Sequence, residues 1–319
     1  MIVKLPCVRD WHDHDLTGLL QHRRTSHGRG TRGARSGEAF CARRSIVGDR
    51  SLPSRGRIPG TSHSSDGELE RADSGLRSLV SVQGALTIQA IHSFGSSEQH
   101  ARWLLGLVSG ERVGCFALTE HGHGSDPDEM ETRAERDGDY YVLNGSKCWI
   151  GNASIADVKV VWAKDEDGRV GGFVLEKDAP GFRARDIEGK FSLRMSRTSE
   201  CWFENCRIPA ENRLPNASGL KAPLSCLLYA RTGIAWGVIG AAIDCYETAM
   251  TYAKEREQFG RPIAGFQLVQ QKLVWMAQEI TKAQLLALRL TRLMETGAAR
   301  PAQISLAKRN NVWMALQCA

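Results

Sequence analysis

One stretch, Gly114-Cys-Phe-Ala-Leu-Thr-Glu-His-Gly-His-Gly-Ser-Asp126, constrains this chain more than any other. Its apolar half, Val113 to Leu118, reads as a buried strand. It then breaks into a polar loop carrying Thr119, Gly122, Gly124 and Ser125. Glycine permits close backbone approach, and bare N–H groups beside two hydroxyls suit an electron-rich ligand. A second stretch, Asn144-Gly-Ser-Lys-Cys-Trp-Ile-Gly-Asn152, reads as a strand ending on Trp149, an aromatic suited to stacking on a flat ring. Either stretch alone is a strand and an ordinary turn. The two together are far more specific.

Written as F-A-L-T-E-x-G-x-G-S-D followed by N-G-x-K-x-W-I, the pair resembles the acyl-CoA dehydrogenase family. The resemblance implies an α+β fold: a partial helical N-terminal domain, a middle β-barrel and an incomplete C-terminal helical bundle. It implies FAD as cofactor, with the two segments wrapping the isoalloxazine and Phe116, Leu118, Thr119, Gly124, Ser125, Trp149, Ile150 and Gly151 as the cofactor-binding residues. The string Arg256-Glu-Gln-Phe-Gly-Arg-Pro262, then Gln267, reads by itself as a helix end and a turn. By resemblance, Arg256 neutralises the cofactor pyrophosphate, Phe259 packs near the adenosine and Gln267 touches the same cofactor across a subunit interface. A homo-oligomer, as a dimer of dimers, follows from that.

Glu68-Leu-Glu-Arg-Ala-Asp-Ser-Gly-Leu-Arg-Ser-Leu-Val-Ser-Val-Gln83 reads as helical. Without context, Glu70, Arg77 and Ser78 are a solvated helix face. The string resembles the glutaryl-CoA dehydrogenase branch, where the Arg and Ser meet the distal carboxylate of the substrate with the Glu nearby. A guanidinium suits that role because it binds carboxylate bidentately. Ser125, Leu224, Tyr229 and Arg231 match positions along the acyl-CoA channel, although Arg231 is equally plausible as a structural ion-pair member. The substrate implied is a dicarboxylyl-CoA, oxidised between its α and β carbons with decarboxylation following, and the implied electron acceptor is an electron-transferring flavoprotein.

The expected domains are 1–67, a disordered or non-family segment; 68–112, helical; 113–215, β-rich and flavin-binding; and 216–319, a helical bundle. Residues 1–67 are rich in Arg, Gly, Ser and His and show no lasting period. They read as a basic arm for nucleic acid or lipid, as a transit peptide, or as a segment foreign to the family. Asp10, Asp13 and Asp15 count against the transit peptide, and the resemblance, which begins at Glu68, favours the third reading. In 96–104, Ser96 or Ser97 is expected to cap a short helix. Asp137-Gly138, Asn144-Gly145 and Asp167-Gly168 each read as hairpin turns. Lys190-Phe-Ser-Leu-Arg194 and Phe203 to Pro209 read mainly as barrel framework.

In the last hundred residues three apolar seams repeat at helical spacing. They are Ile234, Val238, Ala241, Cys245, Ala249 and Tyr252; then Val269, Leu273, Met276, Ile280, Ala283, Ala287, Leu290 and Met294; then Ile304, Ala307, Asn311, Met314 and Cys318, opened by Pro301. Three helices leave an apolar stripe that needs a partner.

Composition narrows the function classes. The net charge of +6, from 42 Lys plus Arg against 36 Asp plus Glu, does not by itself argue for nucleic acid, but it suits a phosphate-bearing ligand. Nine scattered Cys with no CxxC pair read as reduced thiols, so no structural metal is expected. The pair His121-x-His123 has a spacing open to a two-His metal pair, but with no acidic or Cys partner evident beyond Asp126 it reads as solvated loop histidines. No apolar run reads as a membrane span and no secretory signal is evident, so the expected location is cytoplasmic in a bacterium or the mitochondrial matrix in a eukaryote.

The family reaction needs a carboxylate over the α carbon. Most branches carry it in a Tyr-Glu-Gly segment expected beyond residue 319, and a minority at the position held here by Ala230. The family also usually has Ser or Thr where Gly151 stands, and a lost hydrogen bond of that kind costs about 1–3 kcal/mol. The 319 residues by themselves are therefore expected to show negligible dehydrogenation. Turnover of glutaryl-CoA with an artificial electron acceptor by the purified chain is the check, and measurable turnover would show that a base is present.

Overall fold

A computed structural model describes residues 73–319. Glu70 and the segment 1–67 lie outside the described residues. The first helix, α1 (Ser74–Ser81), is capped by Asp73, whose carboxylate accepts the N–H groups of Gly75 at 2.6 Å and Leu76 at 3.2 Å. It runs through a π-helical stretch, Val82–Ile88, into α2 (Gln89–Phe94). After the break at Gly95 come α3 (Ser97–Gln99), a second π-helical stretch, and α4 (Leu105–Ser109). Ser96 and Gln99 close a reciprocal capping box there, as the sequence leads one to expect.

Eight strands form one sheet. They are β1 (Gly114–Ala117), β2 (Arg133–Asp137), β3 (Tyr140–Gly151), β4 (Val158–Lys164), β5 (Val170–Glu176), β6 (Phe182–Asp186), β7 (Thr198–Pro209) and β8 (Arg213–Ser218). Their order is β6-β7-β3-β2-β4-β5-β8, with β1 added in parallel to β4. The expected barrel is thus an eight-stranded sheet whose path ends on β6 and β8. Its middle is buried on both faces. Along β4, Val158, Val160 and Trp162 join the core beneath the helices, while Val161 and Ala163 join a second core opposite. Period-two alternation sorts them, and two buried faces explain why β4 reads as a continuous apolar run.

Two of the three expected turns are present. Asp137-Gly138 joins β2 to β3, and the 165–169 turn joins β4 to β5. Asn144-Gly145 is not a turn: β3 runs straight through it. Gly145 has φ +143, and a Cβ there would lie 2.6 Å from Thr132 Oγ1. Its glycine answers to a bulge in the β3–β7 ladder and a close approach to Thr132, two demands that also select glycine. Residues 190–194, expected as framework, form part of the connection between β6 and β7, with Phe191 fully exposed.

Three helices follow: α5 (Lys221–Glu255), α6 (Gln267–Glu295) and α7 (Pro301–Cys318). A two-residue hairpin pair, β9 (Glu257–Gln258) and β10 (Arg261–Pro262), joins the first two. The seams expected on α6 and α7 hold: Met276, Ile280, Ala283, Ala287 and Leu290 are buried, as are Ile304, Ala307, Asn311 and Met314. The buried Asn311 amide donates to the carbonyls of Ala235 and Ala283, tying all three helices at one level. The seam expected on α5 is wrong by one position. Thr232, Ala235, Ile239 and Ala242 are fully buried, whereas Ile234, Val238, Ala241, Cys245 and Ala249 are only half-buried and Tyr252 is exposed. This helix packs α6 and α7 on one side and the 74–94 segment on the other, so its small residues mark the close contacts. By length and composition α5 also qualifies as a membrane span, which the sequence reading did not find. Its packing between other elements is that of a core helix.

The helical segment is stitched to the sheet by Gln83. Its Nε2 donates to the carbonyls of Leu107 and Arg112, both at 2.8 Å, and its Oε1 accepts Gly114 N–H at 2.6 Å. Gln83→Leu leaves these backbone groups unpaired, and each buried one costs about 1–3 kcal/mol. We expect a loss of at least about 2 kcal/mol, read as a lower urea midpoint by tryptophan emission.

Candidate functional site

The two motif stretches meet. Cys148 N–H donates to Thr119 C=O at 2.8 Å, so the end of β3 lies against the start of the polar loop. Beneath that contact lies an ion pair missing from the expected site residues. Lys147 is fully buried and Glu120 is 6% exposed. Lys147 Nζ donates to Glu120 Oε1 at 2.8 Å and to Leu118 C=O at 3.0 Å. Glu120 also accepts from Glu131 N–H, Thr132 N–H and Thr132 Oγ1. Burial pushes the Glu120 carboxyl up, but the charge and hydrogen bond of Lys147, with Thr132 and Glu131, outweigh it and leave the pKa lowered. Burial brings the Lys147 ammonium down to about 8, against the pull of Glu120, so it remains charged at neutral pH. Both residues stand in the quoted motifs, and their opposite charge, one in each of two paired stretches, was the available signal.

Above the pair, β3 carries an extra residue. Lys147 pairs with Cys201 and Ile150 with Ser199, so Cys148 and Trp149 together oppose Glu200. At this bulge Trp149 takes φ +62, a conformation bulky residues avoid at a cost of about 1–3 kcal/mol. Its indole is thereby turned outward and is 60% exposed. Beside it, Gly122 and Gly124 have nothing within 4 Å of where a Cβ would stand, and Ser125 is exposed. On the far side, Asn152 is fully buried, yet its Oδ1 has no hydrogen-bond partner among the described residues.

The segment that carries Arg77 and Ser78 approaches the same place. A Cβ on Gly151 would lie 3.2 Å from Val82 Cγ2. Val82 continues α1 one turn beyond Ser78, so Arg77 and Ser78 stand on the helix that abuts the bulge. Asn152 Nδ2 donates to Leu79 C=O, fixing the approach. The long helix α5, which carries Leu224, Tyr229, Ala230 and Arg231, packs against this segment too.

Other expected site residues are placed differently. Phe116 and Leu118 point into the core, Phe116 tilted against Trp162 with ring centroids 5.6 Å apart, and Ile150 is in the opposite core. Any contact they offer a ligand comes from the main chain. Arg256, Phe259 and Gln267 lie in and beside the exposed β9–β10 hairpin, which packs on α5, while the Ile263–Gly265 turn after it packs on both α5 and α6. Phe259 is 92% exposed, with φ +55, and stacks edge-on against Phe266.

This architecture matches known proteins along almost all the described residues. Family models match in series: the acyl-CoA dehydrogenase N-terminal domain at 67–111, the middle domain at 115–206 and the C-terminal domain at 217–319. The chain belongs to the acyl-CoA dehydrogenase family, whose members are FAD-dependent oxidoreductases. Among solved structures it is similar to glutaryl-CoA dehydrogenase from Mycobacterium smegmatis, with 51% identity and a TM-score of 0.82, covering 89% of this chain and 74% of that one. A glutaryl-CoA dehydrogenase of the same organism in complex with FADH2 gives 46% identity and a TM-score of 0.81, covering 88% and 74%. The short-chain specific acyl-CoA dehydrogenase of mouse mitochondria is 35% identical over 246 residues, 76% of this chain, and the chain spans 60% of that relative's length.

The residues present fit a flavin. A strained, outward indole, an uncrowded Gly-rich loop and an unpartnered buried acceptor together suit a flat polar ring. The ion pair beneath them gives a direct test. Removing one partner of a buried pair costs about 3–5 kcal/mol, so Lys147→Met should lower unfolding stability by that amount. The folded Glu120 pKa lies below its unfolded value of 4.5. Its contribution is therefore full above that value and is lost as pH falls through the lower folded one. Glu120→Gln should flatten that acid limb in denaturant titrations across pH; an unchanged limb would remove Glu120 from the account.

Proposed function

We propose that this chain is built for a glutaryl-CoA dehydrogenase type of chemistry: FAD-dependent α,β-oxidation of a dicarboxylyl-CoA, with loss of CO2 from the product. The observation that carries the reading is the convergence of Thr119, Trp149 and the α1–Val82 segment at one bulge. The 51% identity to the mycobacterial enzyme supports the choice of branch.

In this reading the indole of Trp149 stacks against the isoalloxazine, and Thr119, Ser125 and the loop N–H groups donate to its polar edge. When bound, the flavin supplies a hydride acceptor. Arg77, with Ser78 beside it and Glu70 before it in sequence, grips the distal carboxylate of the acyl group, setting diacids apart from monoacids. Leu224, Tyr229 and Arg231 on α5 line the thioester side. Arg256, Phe259 and Gln267 serve the cofactor of a second subunit, which accounts for a bulky aromatic held almost wholly in solvent. The exposed Leu285, Leu306, Trp313 and Leu316 on α6 and α7 fit burial in a homo-oligomer. Electrons leave to an electron-transferring flavoprotein. Ala230 offers only a methyl group, so the α-proton acceptor does not stand there. A second reading is a chain that binds flavin and acyl-CoA without turning substrate over.

The test is binding before turnover. Purified protein should be yellow, with the absorption of an oxidised flavin. Trp149→Ala should weaken FAD binding about tenfold, the scale of a lost aromatic stack. Arg77→Met should weaken glutaryl-CoA binding roughly 10–100-fold, the worth of a charge-assisted hydrogen bond, and leave butyryl-CoA binding within about twofold. Equal loss for both thioesters would end the role given to Arg77. Anaerobic bleaching of the flavin by glutaryl-CoA would decide for the first reading, and binding without bleaching for the second.

A further inference from the structure

We propose that His121, Cys148 and Glu200 form a binding site for one zinc ion beside the exposed indole. The three come from separate segments: the polar loop, the bulge of β3 and the facing residue of β7. One ligand atom from each lies within 4.8 Å of the others, and His121 Nε2 is 3.5 Å from Glu200 Oε1. Zinc bonds of about 2.0–2.3 Å in a tetrahedron put ligand atoms roughly 3.3–3.8 Å apart. The His–Glu spacing already meets this, and the rest requires an inward movement of about 1 Å.

The bulge makes the juxtaposition. By setting Cys148 and Trp149 against Glu200 alone, it brings the thiol and the carboxylate together and sends the indole outward. Cys148 is held by its own N–H on Thr119 and is buried. His121 is exposed and precedes Gly122 and Gly124, where an added Cβ would meet nothing within 4 Å, so this ligand has the most room to move. The donor set of nitrogen, sulfur and oxygen selects zinc over calcium or magnesium, which take oxygen alone. One thiolate and one carboxylate balance the charge of the ion, and the fourth position is left for water. The S–H proton of Cys148 passes to solvent as the sulfur–zinc bond forms. In the metal-free protein, burial first and the Glu200 charge second hold that thiol protonated.

This departs from the sequence reading, which saw only His121-x-His123 and no Cys or acidic partner beyond Asp126. His123 turns instead toward Glu131, at 3.8 Å. The cross-strand neighbours of His121 were invisible without the register.

The test uses the full chain, first freed of metal, titrated with Zn2+ by calorimetry and with Co2+ by absorption. One ion per chain is expected, with a thiolate-to-cobalt charge-transfer band. Cys148→Ser should remove the band. His121→Ala and Glu200→Gln should each weaken Zn2+ binding at least tenfold, while His123→Ala changes it less than twofold. Because His121 is exposed, its variant should melt with the parent, so it decides the matter if Cys148→Ser folds poorly. A band that survives Cys148→Ser, a His123→Ala loss equal to that of His121→Ala, or a wild-type chain that takes up no ion at micromolar protein would each overturn the site. None of these readings depends on flavin.

Discussion

A buried ammonium facing a buried carboxylate holds this structure's working surface in shape. Lys147 and Glu120 are removed from water, which is tolerable only because every strong acceptor and donor around them is satisfied. The pair does more than join two strands. Glu120 begins the polar loop and Lys147 immediately precedes the bulge, so one contact fixes the loop's departure and the indole's base. Two well-packed apolar residues would fill the same volume at no loss of stability. They would not pull Leu118, Thr132 and β3 onto one point. The geometry of the site is set from beneath, by groups that need touch no ligand.

What rises from that base is strain with a use. Trp149 occupies a left-handed conformation that a bulky residue avoids, and Phe259 does the same on the β9–β10 hairpin. Both rings are largely in solvent. A fold that spends backbone strain to expose two large aromatics has set them out for contact, since burial would have been the more stable fate of either ring. The two differ in support. Trp149 is anchored by the bulge and the Thr119 carbonyl, whereas Phe259 rests on Phe266 and a short hairpin, so its fixed position is more dependent on whatever covers it.

The motif letters made the site legible in the sequence because its residues cluster in two short runs. Strand ends, the loop and the outward aromatic could be read without any partner strand. Register could not. Asn144-Gly145 looks like a hairpin turn because glycine at positive φ is what a turn requires, yet here the same glycine answers a bulge and the approach of Thr132. Cys148 and Glu200 are far apart in sequence, and nothing in either segment says that they oppose each other. Likewise, the α5 seam was drawn one position off. The helix packs on α6 and α7 and also on the 74–94 segment, and its buried set, Thr232, Ala235, Ile239 and Ala242 among others, answers to both. A single periodic stripe finds one face of a helix and fails when there are two.

Gly151 shows how the indole-bearing strand and the helix that carries Arg77 are coupled through packing. It ends the strand that bears the indole, and a single added carbon would press on Val82. Val82 sits one turn along from Ser78 on the helix that also carries Arg77. A side chain at 151 would therefore act twice: it would place a group beside the indole, and it would tilt or push the helix bearing the guanidinium. The contact at 3.2 Å is tight enough to transmit a shift of a few tenths of an ångström and loose enough to absorb one if Val82 rotates. Leaving position 151 bare keeps the helix that carries Arg77 and Ser78 close against the bulge that turns the indole outward.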